Sequence, residues 1–480
     1  MKRYICLFLA IMTLVLPLFS CASPADGNDT GDDPANTDAA TEGSGTNPPE
    51  IKEELDIPDV KFADTVFTIL TAPVESWNYS AADFDEPSEE PLDNAIYRRN
   101  LAVEELLGCD IQEVTATNRY EGITNSFKTD VDAGGDAYSV AFMNMSNCGT
   151  TTGAGKTLDL SLLEYVDLTK SWWDQASVKQ LALTGRNFMV GSQILYSDKE
   201  CLWLVFFIKD FISQFGLENP YELVEQNKWT WDKMLEMADA VDNDDNGDSK
   251  MTEEDTWGFC THMENMAGMW MAAGEKLVQL DEDGEPYYTW NTERFFDVFE
   301  KIKEFMGTED VVHGNSDKFV ITAMAEARTL FAAEVVGWIS GYRGNDPEFG
   351  LLPMPKYDTD QEDYYTYAAV NCDLMVVGKN CTDTYETGII LEALCAKGQE
   401  ICLPVYYDEQ LQSRYIRDEE SSDMLDIVFK NRMYDLGVMF DWGSSFTNLK
   451  SVEANPSTLW SSLQKSCIRQ MEKSLEKIRE

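Results

Sequence analysis

The stretch DNAIYRRNLAVEELLGCDIQEV (residues 93–114) indicates the fold class, because it joins a helical pattern to a strand pattern through Gly108. Residues 94–108 place their apolar side chains on roughly one helical face, and CDIQEV has the character of a strand. The preceding TVFTIL (65–70) has the β-branched and aromatic residues of a buried strand. A strand–helix–strand unit at the start of the body predicts an α/β architecture with a parallel sheet.

Later segments predict further amphipathic helices. In TWDKMLEMADAV (230–241) the apolar residues recur at helical spacing, and Thr230 is suited to cap the first turn. RFFDVFEKIKEFM (294–306) repeats this pattern. LWSSLQKSCIRQMEKSLEKI (459–478) carries one long apolar stripe, which predicts a helical end to the chain.

The charge of the chain limits its partners. Its 480 residues include 86 acidic and 37 basic side chains, for a formal net charge of −49. Such a surface repels phosphate backbones, so nucleic-acid binding is disfavoured, whereas neutral ligands, cations and cationic partners are compatible with it. The two histidines, His262 and His313, belong to no metal-binding or catalytic-triad spacing.

The first 23 residues, MKRYICLFLAIMTLVLPLFSCAS, have the pattern of a processing signal. Lys2 and Arg3 precede an apolar run that ends at LFSC, where a bacterial lipoprotein places its lipidated cysteine. An ordinary secretory signal and a membrane helix are the alternatives, but the run is short for a membrane span. We therefore expect residues 1–20 to be a lipoprotein signal peptide and Cys21 to carry the lipid.

The next segment, residues 21–60, is rich in Asp, Thr, Gly, Pro and Asn and has few large apolar residues. Such a composition cannot bury enough apolar surface to order itself, which predicts a disordered acidic linker. A lipid anchor followed by a linker predicts an extracytoplasmic protein that is held on the outer face of the bacterial cell membrane.

The stretch VDNDDNGDSKMTEED (241–255) meets the calcium-loop pattern D-x-[DN]-x-[DN]-G-x5-E in full. The predicted ligands are Asp242, Asp244, Asn246, Asp248 through its backbone carbonyl, and Glu253. The alternative is a solvated acidic turn. Calcium sensors pair two such loops between helices, whereas here the loop is single and strand-like residues follow it. We therefore expect calcium to be structural.

Six stretches of the body, taken in order, resemble one family. They are residues 93–114 (quoted above), 165–174 (YVDLTKSWWD), 219–241 (NPYELVEQNKWTWDKMLEMADAV), 272–302 (AAGEKLVQLDEDGEPYYTWNTERFFDVFEKI), 348–358 (EFGLLPMPKYD) and 390–398 (ILEALCAKG). Together they resemble the extracellular solute-binding proteins of family 1, the sugar-binding lipoproteins of ABC importers related to maltose-binding protein. The resemblance runs from about residue 60 to residue 440.

The resemblance implies a two-lobed type II periplasmic-binding-protein fold with hinge crossings and a helical C-terminus. The first crossing is expected near residues 199–211 and the return near residues 349–358. The implied division is lobe I at 61–200 and 355–430, lobe II at 201–354 with the calcium-like loop at 242–253, and a C-terminal helical segment at 431–480. Ligand would bind in the cleft between the lobes and close it by hinge bending.

A cleft for sugars needs flat aromatic side chains for the ring faces and polar groups for the hydroxyls. Position after predicted strands and similarity to the family's cleft segments select eight candidates. They are Trp77, Asn78, Glu200, Trp270, Trp338, Tyr342, Arg343 and Tyr367. Core packing is the alternative for each aromatic residue, because tryptophan is highly buried on average.

The resemblance implies a binding protein without catalytic activity. We expect a monomeric receptor that captures a carbohydrate, in particular an oligosaccharide, and delivers it to the transmembrane subunits of an ABC permease. Two alternatives stay open at this point. One is a surface-anchored adhesion, scaffold or sensory binding protein, and the other is an exported glycoside hydrolase, because carboxylates are abundant throughout the chain.

Overall fold

The computed structural model describes residues 53–314, 317–342, 347–408 and 418–480, with no side-chain description at residues 317 and 340–342. Its two larger sheets are each flanked by helices. The strands are β1 (Val66–Thr71), β2 (Asp110–Thr115), β3 (Val140–Asn144), β4 (Trp203–Ile208), β5 (Trp257–Cys260), β6 (Val278–Leu280), β7 (Pro286–Tyr288), β8 (Val312–His313), β9 (Thr329–Val335), β10 (Phe349–Leu352), β11 (Thr366–Tyr367), β12 (Asp373–Val376) and β13 (Arg432–Met433).

The four predicted helical patterns, at 94–108, 230–241, 294–306 and 459–478, are confirmed to within a few residues. The same ranges contain the following α-helices. They are α1 (Pro91–Leu107), α2 (Glu121–Ala133), α3 (Met145–Gly153), α4 (Gln175–Gln180), α5 (Ser197–Glu200), α6 (Lys209–Phe215), α7 (Pro220–Glu225), α8 (Trp231–Asp239), α9 (Asn265–Ala272), α10 (Glu293–Met306), α11 (Asp317–Ala325), α12 (Thr384–Lys397), α13 (Leu403–Val405), α14 (Glu419–Lys430), α15 (Leu436–Phe440), α16 (Ser445–Leu449) and α17 (Pro456–Arg479).

The first lobe is built on a four-stranded sheet of order β12-β3-β1-β2. β1 runs parallel to β2 and β3, so the predicted strand–helix–strand unit is confirmed. Successive side chains of β1 point to opposite faces of the sheet. Phe67 and Ile69 pack in one core cluster with Val103 of α1, whereas Leu70 belongs to the larger core cluster. Both faces of this sheet are therefore buried.

The second lobe is built on a five-stranded sheet of order β10-β4-β9-β5-β8. β4 runs antiparallel to both of its neighbours, and Phe207 lies opposite Phe331 of β9. All six residues of β4, WLVFFI, are buried, as expected for a central strand covered on both faces. Helix α8 packs beside β5, and the Thr230 Oγ1 accepts a hydrogen bond of 3.3 Å from the Lys233 amide, which confirms the predicted cap.

The chain first enters the second sheet at β4 and returns from β10 to β12 of the first sheet. The predicted return near residues 349–358 needs correction, because β10 (Phe349–Leu352) is a strand of the second sheet and the return follows it. Helix α14 also packs on β10, so residues 419–430 lie with the second lobe and not with lobe I. The two crossing segments pair with each other, because Leu202 forms a β-bridge to Ala368 and the Ala369 amide donates to the Cys201 carbonyl at 2.9 Å. Such paired, short crossings form the hinge of a two-lobed protein.

Both ends of the described chain pack on the lobes. Leu55, Ile57 and Val60 contact the core cluster of the first lobe, although the sequence had assigned them to the linker. Near the start of α17, Trp460 packs edge-to-face on Trp290 with ring centroids 5.0 Å apart. Near its end, the Ile478 carbonyl accepts a hydrogen bond of 3.2 Å from Arg186. Within the described ranges, no helix has the length and apolar character needed to cross a membrane.

Candidate functional site

A cavity of about 320 Å³ lies between the two lobes. Its size is at the lower end of the range of about 300–1,000 Å³ that is typical of small-molecule sites. The lining residues come from both lobes and from the crossing segments. They are Trp77, Tyr120, Trp203, His262, Glu264, Glu334, Val335, Trp338, Ala369 and Asn371.

Aromatic side chains form much of the cavity wall. Trp77 is contributed by the loop after β1 and Trp338 by the turn after β9, and both are partly exposed. The two loops approach closely, because a Cβ added to Gly337 would lie 1.8 Å from the Trp77 carbonyl oxygen. Trp203, at the start of β4, is 1% exposed and its Nε1–H has no hydrogen-bond partner among the described residues. The indoles of Trp77 and Trp338 therefore line the same cavity from opposite lobes.

The polar groups of the cavity are mostly acidic or neutral. Glu334 is a buried residue of β9, and its Oε1 lies 3.3 Å from His262 Nε2. Glu264 Oε1 accepts a hydrogen bond of 3.4 Å from the Tyr367 hydroxyl, which fixes the carboxylate from behind. Among the described residues that line the cavity there is no lysine or arginine. These carboxylates can accept hydrogen bonds from hydroxyl or ammonium groups of a ligand.

A buried ion pair supports the Trp77 wall. Nη1 of Arg119 donates to both carboxylate oxygens of Asp373, at 2.8 and 2.6 Å, and both side chains are at most 2% exposed. The guanidinium also lies 5.5 Å from the centre of the Trp77 ring. Asn78 donates to the Asn371 carbonyl at 3.2 Å, and its Oδ1 is buried without a partner in the described chain. The loop that carries Trp77 is thereby held to β12.

Glu200 lies beside this cluster, where its carboxylate accepts a hydrogen bond from the Tyr79 amide. Loss of hydration raises the pKa of Glu200 to about 8, and the neighbouring charge of Asp198 acts in the same direction. The Tyr79 amide and Arg119 oppose the shift. The protonated form of Glu200 can donate as well as accept a hydrogen bond.

This shift predicts a pH-dependent stability. Between the ordinary pKa of 4.5 and the folded value of about 8, the unfolded chain has lost this proton while the folded chain still binds it. Stability from this group is therefore complete below the ordinary pKa and falls as the pH rises towards the folded value. We expect Glu200→Gln to reduce this fall, measured as urea midpoints across that pH window. The control Glu225→Gln, at an exposed glutamate, should leave the pH dependence of stability unchanged. An equal effect of both variants would contradict the assignment of this pH dependence to Glu200.

The eight candidate ligand residues lie in different places. Trp77 and Trp338 line the cavity. Asn78, Glu200 and Tyr367 lie behind its wall, and Tyr367 is fully buried beside Trp203. The prediction for Trp270 needs correction, because this side chain is 0% exposed and packs on Phe299 in the core of the second lobe. The side chain of Tyr342 and all of Arg343 lie outside the described residues.

Sequence reasoning missed most of the residues that line the cavity. The missed residues are Tyr120, Trp203, His262, Glu264, Glu334, Val335, Ala369 and Asn371. One signal was present at Glu334, a single carboxylate inside the otherwise apolar strand TLFAAEV. A charge in a buried strand needs a partner or a function. Glu264 and Asn371 carried no such signal, because acidic and amide residues in loops are ordinary in this chain.

The calcium-like loop is folded around one carboxylate. Asp244 Oδ1 accepts from the Gly247 amide at 2.7 Å, and its Oδ2 accepts from the Ser249 amide at 2.6 Å. Gly247 has φ of +73°, the left-handed conformation that the turn requires. In the part of the chain that the structure describes, no three His, Cys, Asp or Glu side chains lie close enough to share an ion. The donor types suit calcium, but as folded they do not converge on one point.

Calcium binding at this loop stays a prediction. The carboxylate of Glu253 is exposed, so it can turn inward. We expect calcium to raise the thermal midpoint relative to EDTA, by up to about 2.7 kcal/mol of stability at 100 times its dissociation constant. Glu253→Gln should weaken the response, whereas Glu254→Gln, one residue away and outside the ligand pattern, should keep it. A thermal midpoint that is the same in calcium and in EDTA would contradict the prediction.

The element that follows the loop is the strand β5, so the predicted strand-like exit from the loop is confirmed.

Comparisons with known proteins identify the fold. Neither a family model nor a curated protein sequence matches the chain. Among solved structures, the maltose/maltodextrin-binding domain from Bdellovibrio bacteriovorus bound to maltotriose is 15% identical, with a TM-score of 0.51, covering 87% of this chain and 100% of that one. An ABC substrate-binding protein from Listeria monocytogenes in complex with cycloalternan is 13% identical, with a TM-score of 0.52 and coverages of 85% and 99%.

A family 1 extracellular solute-binding protein from Bifidobacterium longum subsp. infantis is also similar, at 12% identity and a TM-score of 0.51, covering 87% of this chain and 96% of that one. Such low identities establish the fold and leave the ligand open. The predicted α/β class and the two-lobed architecture are confirmed. The chain therefore has the two-lobed fold of the ABC solute-binding proteins related to maltose-binding protein.

Proposed function

We propose that the chain is a solute receptor that binds a carbohydrate between its lobes and delivers it to an ABC permease. The observation that carries the proposal is the pair Trp77 and Trp338, which reach one cavity from opposite lobes. A ligand between them would contact both lobes at once and so favour the closed arrangement. The fold shared with sugar-binding proteins supports the same conclusion.

The chemistry of the cavity suits a sugar. Indole rings pack on the apolar face of a pyranose, and carboxylates accept hydrogen bonds from its hydroxyl groups. Glu264, Glu334 and Asn371 supply acceptors, and the unpartnered Nε1–H of Trp203 supplies a donor. Few polar groups placed among aromatic walls are typical of sites that fix the orientation of a small ligand.

The charge of the lining restricts the sugar. The described lining has two carboxylates and no lysine or arginine, and its one imidazole, His262, faces Glu334, so an anionic sugar would meet more repulsion than a neutral one. A neutral sugar, or one with a protonated amine, avoids this cost. The volume of about 320 Å³ favours one or two sugar units in the enclosed space, with longer chains extending out of it.

The rest of the proposal concerns the location and partners of the protein. The signal-like residues 1–20, Cys21 and the acidic segment before the body support a lipid-anchored receptor on the outer face of the bacterial membrane. In this role the protein acts as a monomer, docks on the permease subunits and catalyses no reaction. Similarity to binding proteins rather than enzymes supports the last point.

A thermal-shift screen of the full chain in neutral detergent tests the proposal. The panel contains neutral mono- and oligosaccharides, amino sugars, and uronic acids as the anionic comparison. At about 100 times its dissociation constant, a ligand should add about 2.7 kcal/mol of stability. A shift with neutral sugars and none with uronic acids is the expected result. Silence across the panel, or sugar turnover in the same samples, would overturn the receptor proposal.

A further inference from the structure

A second concave site lies on the first lobe, away from the interlobe cavity. It is a groove of about 820 Å³ between α2, α3, the end of α15 with the turn after it, and α17. Phe440 and Trp442 stack at one side of it, with ring centroids 4.4 Å apart. Gly153 of α3 faces α17 so closely that a Cβ there would lie 3.1 Å from the Ser474 hydroxyl. The groove is therefore a fixed part of the packing between these helices.

The charge of this groove is opposite to that of the chain. The basic residues of its lining are Lys128, Arg469, Lys473 and Lys477, and none of the described lining residues is an aspartate or glutamate. The whole sequence has 86 acidic and 37 basic residues, so an unselected surface of this size would be expected to carry more acids than bases. Four cations without a carboxylate in one groove are a local reversal of the surface charge.

These four cations have no paired carboxylate among the described residues. In the described ranges none of them makes an ion pair or a side-chain hydrogen bond, whereas the nearby Lys156 pairs with Asp132. Burial lowers the pKa of Lys128, and the charge of Lys156 adds to this effect while Asp132 opposes it. The groove therefore gathers four positive charges that form no ion pair in the described ranges, although Asp132 acts on Lys128 from nearby.

Helix stability does not explain this arrangement. Lys465, Arg469, Lys473 and Lys477 follow each other at intervals of four residues on α17, so they lie on one face. Like charges at this spacing destabilise a helix by a few tenths of a kcal/mol per pair. The helix dipole favours cations in the last turn, which accounts for Lys477 but not for Arg469 or Lys473. A solvated helix face in so acidic a chain would more readily alternate the two signs.

We propose that this groove binds a phosphate-bearing group. Lysine ammonium groups act as point charges for phosphate, and an arginine can donate two parallel hydrogen bonds to its oxygens. Thr150 and Gln470 lie on the same lining and add neutral donors. The described lining of the interlobe cavity has two carboxylates and no lysine or arginine, so the two sites differ in the chemistry they select.

The phosphate could belong to a soluble compound or to the head group of an anionic lipid, and one experiment separates these sources. The full chain in neutral detergent is titrated with inorganic pyrophosphate by calorimetry, and separately with mixed micelles that contain either phosphatidylglycerol or phosphatidylcholine. The groove variant is Arg469→Gln with Lys473→Gln. The matched control is Lys179→Gln with Lys430→Gln, which removes the same charge at two exposed lysines outside the groove.

We expect saturable binding that the groove variant weakens at least tenfold and the control leaves unchanged. Binding of pyrophosphate alone assigns a soluble phosphate compound, and binding that requires phosphatidylglycerol assigns a lipid head group. No binding of either probe, or equal weakening in the control, overturns the proposal. Unchanged thermal midpoints of both variants establish that the fold is intact. Sugar binding in the cleft is measured in the same samples and does not depend on the outcome.

Discussion

Arg119→Met is expected to lower the free energy of unfolding by about 3–5 kcal/mol, because it leaves the carboxylate of Asp373 buried without its charged partner. The carboxylate is 0% exposed and accepts both of its short hydrogen bonds from the lost guanidinium. Asn78 remains as a donor to Asp373, but only at 3.4 Å. Urea unfolding at neutral pH measures the change.

Two further variants make this prediction specific. Arg98→Met removes an exposed arginine from α1 and should change stability by less than about 0.5 kcal/mol. Arg119→Met combined with Asp373→Leu removes both charges, and the double variant should recover part of the loss. A single variant as stable as the parent protein would show that the pair contributes nothing to the fold. Because Arg119 also lies over the Trp77 ring, we expect Arg119→Met to weaken sugar binding as well.

Trp338→Ala is expected to weaken binding of the cognate sugar about 10- to 100-fold. Burial of a large apolar side chain against a ligand contributes about 1.5–3 kcal/mol, and each 1.4 kcal/mol is a factor of ten in the dissociation constant. Trp77→Ala should have an effect of the same order, since the two indoles face one cavity from opposite lobes. Calorimetric titration with the ligand found in the screen measures both.

The control for these variants is Tyr287→Ala. Tyr287 is 45% exposed and lies outside the cavity. The substitution therefore removes an aromatic ring that does not contact the ligand. Its dissociation constant should equal that of the parent protein. If Trp338→Ala binds sugar as tightly as the control does, the cavity is not the binding site. Thermal midpoints of all three variants separate lost contacts from lost fold.

Local patterns in the sequence predicted the elements well. The turn at Gly108, with φ of +72°, ends α1 where the helical pattern stops, and β2 follows at once. The β-branched and aromatic residues of TVFTIL (65–70) predicted a buried strand, and β1 lies there. These features depend on neighbours in the chain, so periodicity and turn chemistry are enough to find them. The two-lobed fold was implied by the family resemblance and not by these local patterns.

The site was harder to predict, because it is made by residues that are distant in sequence. Trp270 and Trp338 both follow patterns typical of cleft segments, yet only Trp338 reaches the cavity. Helix α9 turns Trp270 inward onto Phe295 and Phe299, and the sequence does not specify that rotation. Asn371 lines the cavity only because the two crossing segments pair near Leu202. Such placements follow from packing between lobes rather than from local pattern.

Helix α17 has a mechanical consequence for the motion of the lobes. It is held to the second lobe through Trp460 and Trp290 and to the first lobe through Ile478 and Arg186. A wide opening of the cleft by hinge bending would have to break the contacts of one end of α17 with its lobe. A twist of one lobe about the helix axis would preserve both attachments. We therefore expect ligand release to accompany a small rotation of one lobe relative to the other about the axis of α17.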